Sequence, residues 1–289
     1  MPISLFKGAV FILLSELFFV LMGAQVRAVS INLSNEMIVF FRNLFGLQII
    51  LPLLLQHGFS ALKTQKPQLH LLRGLAGVSA MYCYFYAVAH LPLANAMILK
   101  MTAPLFIPLI AFMWLKETAS WMIVLVISLG FIGVSLIIKP DFNSIDRIAL
   151  IALCGGLFAA IAKSTVKQLT QTEQPATIVF YFALSGLLIS SLPAFINWQT
   201  PDSAQLLQLL VLGFLAASGQ FLMTKAYSFA PASQISHFSY SSILYASLAG
   251  WLFWDEWMDG WSWLGALMVV MSGMLLIKRR RNMPVAETV

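Results

Sequence analysis

Two ionisable residues lie deep within apolar runs of the sequence, where a charged group is costly and needs a partner or a water-filled cavity. Glu16 is about nine residues into the first run, or about 13 Å along a helix. Lys100 is about eight residues into a later run that crosses in the opposite direction, so the two reach similar depth. The pair could bind a zwitterion, or set a proton-sensitive carboxylate opposite an anion site. A permanent ion pair that locks two helices is the structural alternative.

Two further groups of polar and aromatic residues are candidates for substrate binding. The segment from 234 to 242 is unusually polar for an apolar run, so its polar face is predicted to meet a cavity or another helix. We take it as the best indicator of a substrate route, through Gln234, His237, Ser239 and Tyr240. Tyr82 and Tyr86 are spaced to share one helix face, as a stacking wall for a planar or cationic ligand or as ordinary packing residues.

Arg42 and Lys225 lie near the ends of their apolar runs. Arg42 is about five residues into its run, so its long side chain can reach the outer face, and Lys225 is similarly close to the inner face. Interfacial anchoring is the simpler interpretation for both residues. A gate is the alternative, in which they pair with Glu36 or with a cytoplasmic carboxylate.

The sequence contains no motif for catalysis or for a bound cofactor. We find no HExxH, GxSxG, P-loop or CxxC pattern and no paired acidic motif. Cys83 and Cys154 both lie in apolar runs, which favours buried, reduced thiols. We therefore expect no enzyme activity, no cofactor and no metal. The basic residues sit in short connections and at the C-terminal end, a pattern typical of membrane orientation and not of nucleic-acid binding.

The elements that position these residues are predicted to be membrane-spanning helices. The chain has 289 residues, of which 60% are hydrophobic and 10% charged, and its mean hydropathy is +0.86. A water-soluble protein cannot bury that much apolar surface. Apolar runs of about 20 residues, each long enough to cross about 30 Å of hydrocarbon, predict an all-α integral membrane protein with ten spans: 7–26, 36–55, 70–89, 92–114, 120–138, 147–168, 175–195, 205–229, 231–254 and 260–278.

Lys and Arg are distributed unevenly between the alternating connections. With a cytoplasmic N-terminus, the inside connections and tail hold eleven basic residues and the outside connections hold three. The positive-inside rule therefore predicts that both termini are cytoplasmic. In a bacterial cell the protein would be a multi-pass protein of the inner membrane.

The second half of the sequence repeats the first. A shift of 139 residues aligns 71–139 with 210–278 without a gap, including Pro92 with Pro231 and Glu117 with Glu256. Each unit has five spans, an odd number, so the two copies cross the membrane in opposite directions. We expect a first repeat over 7–139, a second over 147–278 and a cytoplasmic tail over 279–289. Inverted repeats are typical of secondary transporters with a substrate site near the membrane midplane.

The sequence resembles the EamA family of the drug/metabolite transporter superfamily. The similarity is carried by residues 95–117 (NAMILKMTAPLFIPLIAFMWLKE) with Gly130 and Gly133, by the acidic mark in 251–265 (WLFWDEWMDGWSWLG) and by the arginine of Phe40-Phe41-Arg42. Residues 71–74 and 130–140 are also similar to the subgroup that contains S-adenosylmethionine uptake transporters. The resemblance implies ten helices in two repeats, no ATPase and transport of small metabolites.

Symmetry and resemblance together lead to a functional hypothesis. We expect a secondary transporter that moves a small polar metabolite, such as an amino acid, a nucleoside or an S-adenosylmethionine-like compound, by alternating access in the lipid bilayer. A substrate that binds Lys100 would weaken its pairing with Glu16 and favour proton uptake there, so the proton is the candidate coupling ion. A polytopic membrane enzyme, such as a lipid-modifying transferase, and a structural scaffold are the alternatives. A monomer and a homodimer are both open.

Overall fold

A computed structural model of the chain describes residues 3–55, 63–106, 121–138, 147–230 and 235–282. Within these ranges all regular structure is helical, with ten α-helices, a further helical stretch over 103–106 and one 3-10 helix. The α-helices, numbered in chain order, are α1 (Ile3–Val29), α2 (Asn35–Leu55), α3 (Pro67–His90), α4 (Leu93–Lys100), α5 (Trp121–Ile138), α6 (Arg147–Leu169), α7 (Pro175–Ile196), α8 (Ser203–Phe229), α9 (Ser241–Trp254) and α10 (Gly260–Asn282).

Local sequence signals explain where several helices begin. Pro67 and Pro175 open α3 and α7, positions where the missing N–H of proline costs nothing. A capping box opens α8, because the Asp202 carboxylate accepts the N–H of Gln205 and the Gln205 side chain accepts the N–H of Asp202. These signals fix the first residues of the three helices.

By length and apolar composition alone, five helices among the described residues can cross a membrane: Leu5–Val29, Pro67–His90, Leu150–Leu169, Pro175–Ile196 and Ser203–Phe229. Large apolar side chains on the outside, such as Leu188, Phe195 and Leu244, are more than 60% exposed. A surface of this kind suits lipid and not water. The prediction of an all-α integral membrane protein is confirmed.

Each of the first five helices has a counterpart five helices later, so that α1 corresponds to α6 and α3 to α8. Exchanging all counterparts leaves the main packed pairs of helices the same. Helix α1 packs on α8 as α3 packs on α6, while α2 packs on α7, α4 on α9 and α5 on α10. The two halves therefore interleave rather than lie side by side. This arrangement is the inverted repeat of five helices that the sequence predicts.

Two of the predicted spans are interrupted, contrary to the sequence-based prediction of continuous helices. The fourth, predicted over 92–114, ends as α4 at Lys100 and passes through a turn at 101–102 before helical residues resume at 103. The ninth, predicted over 231–254, becomes α-helical only at Ser241, after a 3-10 helix over Ser236–Tyr240. Pro104, the second residue of the helix that resumes at 103, marks the first break, because proline fits the first turn of a helix and disrupts its interior. No proline or glycine lies within 236–240 to mark the second break. At the end of the chain, α10 continues to Asn282, into the predicted tail.

Candidate functional site

The two breaks occupy equivalent places in the repeat. In the 139-residue register, Lys100 corresponds to Ser239, so α4 ends and α9 begins at matching positions. Interrupted helices at corresponding positions of two halves are the usual mark of a binding site in secondary transporters, because a broken helix exposes polar backbone groups and can carry polar side chains to the midplane. The break at Lys100 borders a buried cavity.

The cavity has a volume of about 110 Å³, enough for several water molecules. It is lined by residues of α1, α2, α3, α4, α6, α7 and α8. Its lining is mostly apolar, with a small set of polar side chains: Glu16, Arg42, Arg73, Lys100, Lys163 and Gln220. A mostly apolar cavity with a few convergent charged groups is typical of a small-molecule site.

The structure brings Glu16 and Lys100 together at one part of this cavity, as the depth count predicts. The distance from Lys100 Nζ to Glu16 Oε2 is 4.0 Å, and the Glu16 side chain is only 2% exposed. Neither atom has a hydrogen-bond partner among the described residues. Lys100 Nζ instead faces the rings of Phe19 and Tyr84, at 4.5 and 5.2 Å from their centroids. The two charges attract each other but leave their hydrogen-bonding capacity free for a ligand.

Arg42 lies in the cavity and does not reach the outer face, so the anchoring interpretation is wrong for this residue. It is 3% exposed, and its Nη1 donates to Asn43 Oδ1 at 2.7 Å. Its guanidinium lies over the ring of Phe182, 5.2 Å from the centroid. The proposed partner Glu36 makes no ion pair with it within 4.0 Å. Helix packing turns Arg42 inward, toward α7, where an aromatic ring stabilises the cation.

Arg73 and Lys163 also line the cavity, although the sequence count treats both as cations of the inside connections. Arg73 is 4% exposed and donates from Nη2 to Gln220 Oε1 at 3.0 Å. Helix α3 begins at Pro67, three residues before the predicted start, which places Arg73 well inside it. Without these two, nine basic residues remain on the predicted inside against three outside, so the orientation argument stands.

The tyrosine that faces the cavity is Tyr84, not Tyr82 or Tyr86. Tyr84 is buried among the lining residues, and its hydroxyl donates to Met97 Sδ at 3.3 Å. Tyr82 lies against α2, where its carbonyl accepts from Asn35, and the Tyr86 ring packs on His90 at a centroid distance of 4.2 Å. The spacing argument is right that Tyr82 and Tyr86 share a face, but that face is turned away from the cavity.

The polar ninth span does not contribute to this cavity through any residue that the structure describes. Ser239 and Tyr240 are 5% and 7% exposed and pack in the protein core, with Tyr240 against Gly273 of α10. The Ser239 carbonyl accepts from Ser242, which satisfies the break locally. Of the other predicted residues here, Gln234 lies outside the described residues and so does the side chain of His237.

Lys225 lies on α8, away from the cavity lining. Its Nζ is 5.1 Å from the ring centroid of Phe11 and 5.7 Å from that of Phe221. Within the described part of the chain it forms no ion pair within 4.0 Å, so the structure gives it aromatic neighbours rather than the carboxylate that a gate requires. Anchoring remains the simpler interpretation of Lys225.

Ionic contacts close the bundle at both ends. At the predicted outer end, Glu256 binds Arg27 and also accepts the N–H of Leu93 at the start of α4. At the predicted inner end, His70 Nε2 contacts Glu173 Oε2 at 2.5 Å, and the Thr64 hydroxyl donates to the same carboxylate. No group of three or more His, Cys, Asp or Glu that could hold a metal occurs among the residues searched, which are the described ones.

Comparisons with known proteins agree with this architecture. Residues 6–139 and 146–278 each match the EamA-like transporter family. The pseudopaline exporter CntI of Pseudomonas aeruginosa is 31% identical over 98% of this chain and 100% of its own length. The riboflavin transporter of Vibrio cholerae is 30% identical, with coverages of 92% and 91%. The S-adenosylmethionine uptake transporter of Rickettsia prowazekii is 27% identical, with coverages of 83% and 82%.

A protein of known crystal structure has the same fold. Its TM-score is 0.65 at 14% sequence identity, over 96% of this chain and 99% of its own. At that identity the match concerns the fold alone. The matched family and the three relatives are transporters by name, and none of these comparisons supports a membrane enzyme.

Proposed function

Because this chain belongs to the EamA-like transporter family, we propose that it moves a small polar metabolite across the cytoplasmic membrane through the cavity around Glu16 and Lys100. The relatives carry the names of three different substrates, namely pseudopaline, riboflavin and S-adenosylmethionine. Their names therefore do not choose among the amino acid, nucleoside and S-adenosylmethionine-like classes, and the residues of the cavity must guide that choice.

One observation carries the proposal: ionisable side chains with unused hydrogen-bonding atoms surround a buried cavity beside a helix break. Charged groups in a membrane protein cost several kcal/mol unless they are paired or hydrated. Glu16 Oε2, Lys100 Nζ, Arg42 Nε and Arg73 Nε all lack partners within the described residues. A polar substrate would supply those partners, and an apolar one would not.

The cavity lining supports alternating access, with the substrate path toward the cytoplasm. Arg73 and Lys163 lie on the cytoplasmic side of Glu16 and Lys100 in the predicted topology, so the polar lining extends inward. At the opposite end, Arg27 and Glu256 join α1 to the segment after α9. Release of this contact would open the outer end, while the inverted repeat supplies a second, symmetry-related arrangement of the same helices.

Glu16 is the proposed proton-coupling residue. Among the residues that the structure describes, it is the one carboxylate in the cavity lining, and Lys100 is its nearest ion-pair partner. A substrate carboxylate that binds Lys100 competes with Glu16 for the same cation. Glu16 then loses its compensating charge in a buried site, which favours its protonation. Substrate and proton would therefore occupy the site together.

Transport into proteoliposomes tests the proposal. We suggest purified full-length protein in liposomes, with labelled L-glutamate, L-lysine, adenosine and S-adenosylmethionine as probes and protein-free liposomes as the control. We expect saturable uptake of at least one probe, recovered chemically unchanged. Uptake of none of the four would overturn the proposed substrate classes. Conversion of a lipid without flux of any solute would overturn transport itself.

A further inference from the structure

We propose that the substrate is an organic anion with at least two carboxylate groups, one bound by Arg42 and Arg73 and the other by Lys100. This inference rests on the proposed transport function and specifies the substrate class of the same cavity. Its basis is the placement of excess positive charge beside two different sets of aromatic rings in the lining. We call Arg42 and Arg73 the arginine pole, and Lys100 with Lys163 the lysine pole.

The arginine pole has two guanidinium groups over one aromatic ring. The Cζ atoms of Arg42 and Arg73 are 5.2 and 3.8 Å from the ring centroid of Phe182. Their hydrogen-bond partners are the neutral amides of Asn43 and Gln220. Within the described part of the chain, no carboxylate lies within 4.0 Å of either group. Two buried cations therefore share a site to which the described residues contribute no anion.

Glycines make room for this pole. A Cβ atom at Gly77 would collide with Arg73 Nη1 and would lie 2.6 Å from Phe182 Cε2. A Cβ atom at Gly186 would collide with the amide of Asn43, which holds Arg42. Gly77, one turn along the same helix, thus leaves space for Arg73, and Gly186 on α7 leaves space for the amide that holds Arg42. The guanidinium fork matches a carboxylate with two parallel hydrogen bonds, and Arg42 Nε and Arg73 Nε remain without partners.

The lysine pole is partly compensated, and by one residue alone. Lys100 Nζ is 4.0 Å from Glu16 Oε2, and Lys163 lies within electrostatic range of the same carboxylate. Four cations of the lining thus share a single carboxylate among the described residues. A ligand with one negative charge would leave an excess at one pole, whereas a dianion reaches both. A cationic ligand would face repulsion from the excess positive charge of both poles.

A set of probes that differ only in charge tests this inference. Binding to the full-length protein in lipid nanodiscs would be measured for malonate, succinate, glutarate and adipate, and for the monoamide and diamide of each, at constant ionic strength. We expect the best-fitting dicarboxylate to bind at least tenfold more tightly than its monoamide, and the diamide not to bind. The four acids differ in the distance between their carboxylates, so the best binder reports the distance between the two poles.

Two variants of Arg73 test the arginine pole. Arg73→Gln should reduce the affinity for the dicarboxylate to that for its monoamide, while Arg73→Lys should restore part of the loss because it keeps the charge but not the fork. Lys225→Gln is the matched control, because this lysine lies outside the cavity lining, and it should bind all probes as the parent protein does. If a variant fails to fold, the comparison of dicarboxylate, monoamide and diamide binding to the unmodified protein still tests the two-pole site.

The outcomes separate this inference from the proposed function. Equal binding of the dicarboxylate, monoamide and diamide would overturn the two-pole site, and so would an Arg73→Gln protein that folds and binds as before. If lysine or adenosine enters proteoliposomes while no dicarboxylate binds or competes, transport stands and the anion class is wrong. If no solute enters, the proposed function itself has failed.

Discussion

Arg27 and Glu256 form a two-pronged ion pair that joins the end of α1 to the segment after α9. Arg27 Nη1 is 2.8 Å from Glu256 Oε2, and Nη2 is 2.5 Å from Oε1. The same carboxylate accepts the N–H of Leu93 at 3.1 Å, so three chain segments meet at one side chain. Both side chains are about one fifth exposed. Such a pair is weak enough in free energy to open and close repeatedly.

Loss of this ion pair should favour opening of the outer end. In a background with Cys83→Ser and Cys154→Ser, Ala96→Cys places a thiol in the cavity lining at a position that is 1% exposed. Adding Arg27→Gln should increase the rate of its labelling by an impermeant reagent from outside about two- to fivefold. That change corresponds to about 0.4–1 kcal/mol, the range for a partly exposed pair.

The charge-reversed double variant is the control for this prediction. Arg27→Glu combined with Glu256→Arg should return the labelling rate toward that of the parent, although the N–H of Leu93 then loses its acceptor. Equal labelling in Arg27→Gln and the parent would mean that the pair does not control access.

Glu16→Gln should uncouple transport from the proton gradient. The amide keeps the size of the side chain but cannot take up a proton, so substrate binding should persist while an imposed pH gradient no longer accelerates uptake. Proteoliposome uptake with and without the gradient measures this. A variant that responds to the gradient as the parent does would exclude Glu16 as the coupling residue.

Lys100→Met distinguishes a binding role of this cation from a purely structural ion pair. We expect at least a tenfold loss of affinity, because the lysine pole then has only Lys163, and binding titration of the best probe measures it. The Glu16→Gln protein in the same titration is the control, since it removes the ion pair but keeps the cation. Unchanged affinity and flux in Lys100→Met would end the proposed role of Lys100.

The predicted orientation can be tested at connections between spans. With both termini cytoplasmic, single cysteines at Asn143 and Thr200 should react with an impermeant reagent in intact cells, whereas a cysteine at Gln171 should react only after lysis. Thr200 and Gln171 are both exposed in short connections, so they form a matched pair. If the cysteine at Gln171 reacts in intact cells while those at Asn143 and Thr200 are protected, the orientation is the reverse of the predicted one.

Helices α5 and α10 cross at a pair of glycines. A Cβ atom at Gly133 would lie 2.7 Å from the carbonyl oxygen of Gly265. A Cβ atom at Gly265 would collide with the carbonyl oxygen of Gly133. Gly265→Ala should therefore cost about 1–3 kcal/mol and lower the thermal unfolding midpoint in detergent. Gly260→Ala is the control, because nothing lies within 4 Å of its Cβ position. Equal midpoints for the two variants would contradict a close crossing here.

Apolar run length, loop charge and internal repetition suffice to predict the helices, the inverted repeat and the meeting of Glu16 with Lys100. These features depend on distance along the membrane normal, which residue counting measures well. Direction around the helix axis is different. Arg42, Arg73 and Tyr84 are turned inward by packing against neighbouring helices, and nearly uniform hydrophobicity leaves little amphipathic signal to indicate the buried face.

The breaks in the fourth and ninth spans have different signals in the sequence. Pro104 follows residues 100–102 (Lys-Met-Thr) and marks the first break, because a proline fits the first turn of the helix that resumes at 103 but not the interior of a continuous helix. The turn is closed locally by Thr102, whose hydroxyl donates to the carbonyl of Leu99 at 2.6 Å. The polar stretch over 236–242 is itself the signal of the second break. Ser242 donates to a backbone carbonyl of the break, whereas the hydroxyls of Tyr240 and Ser241 are buried without a hydrogen-bond partner among the described residues.

The charged lining is divided unequally between two halves that share one fold. Glu16, Arg42, Arg73 and Lys100 belong to the half over 6–139, and Lys163 is the one ionisable lining residue of the half over 146–278 that the structure describes. Two copies of the second half, paired as a dimer, would supply two lysines and no carboxylate or guanidinium. Two copies of the first would double every charge around the same space. Two identical halves would form the symmetric arrangement of helices but not this set of charges. The site therefore requires one copy of each half, and neither half can replace the other.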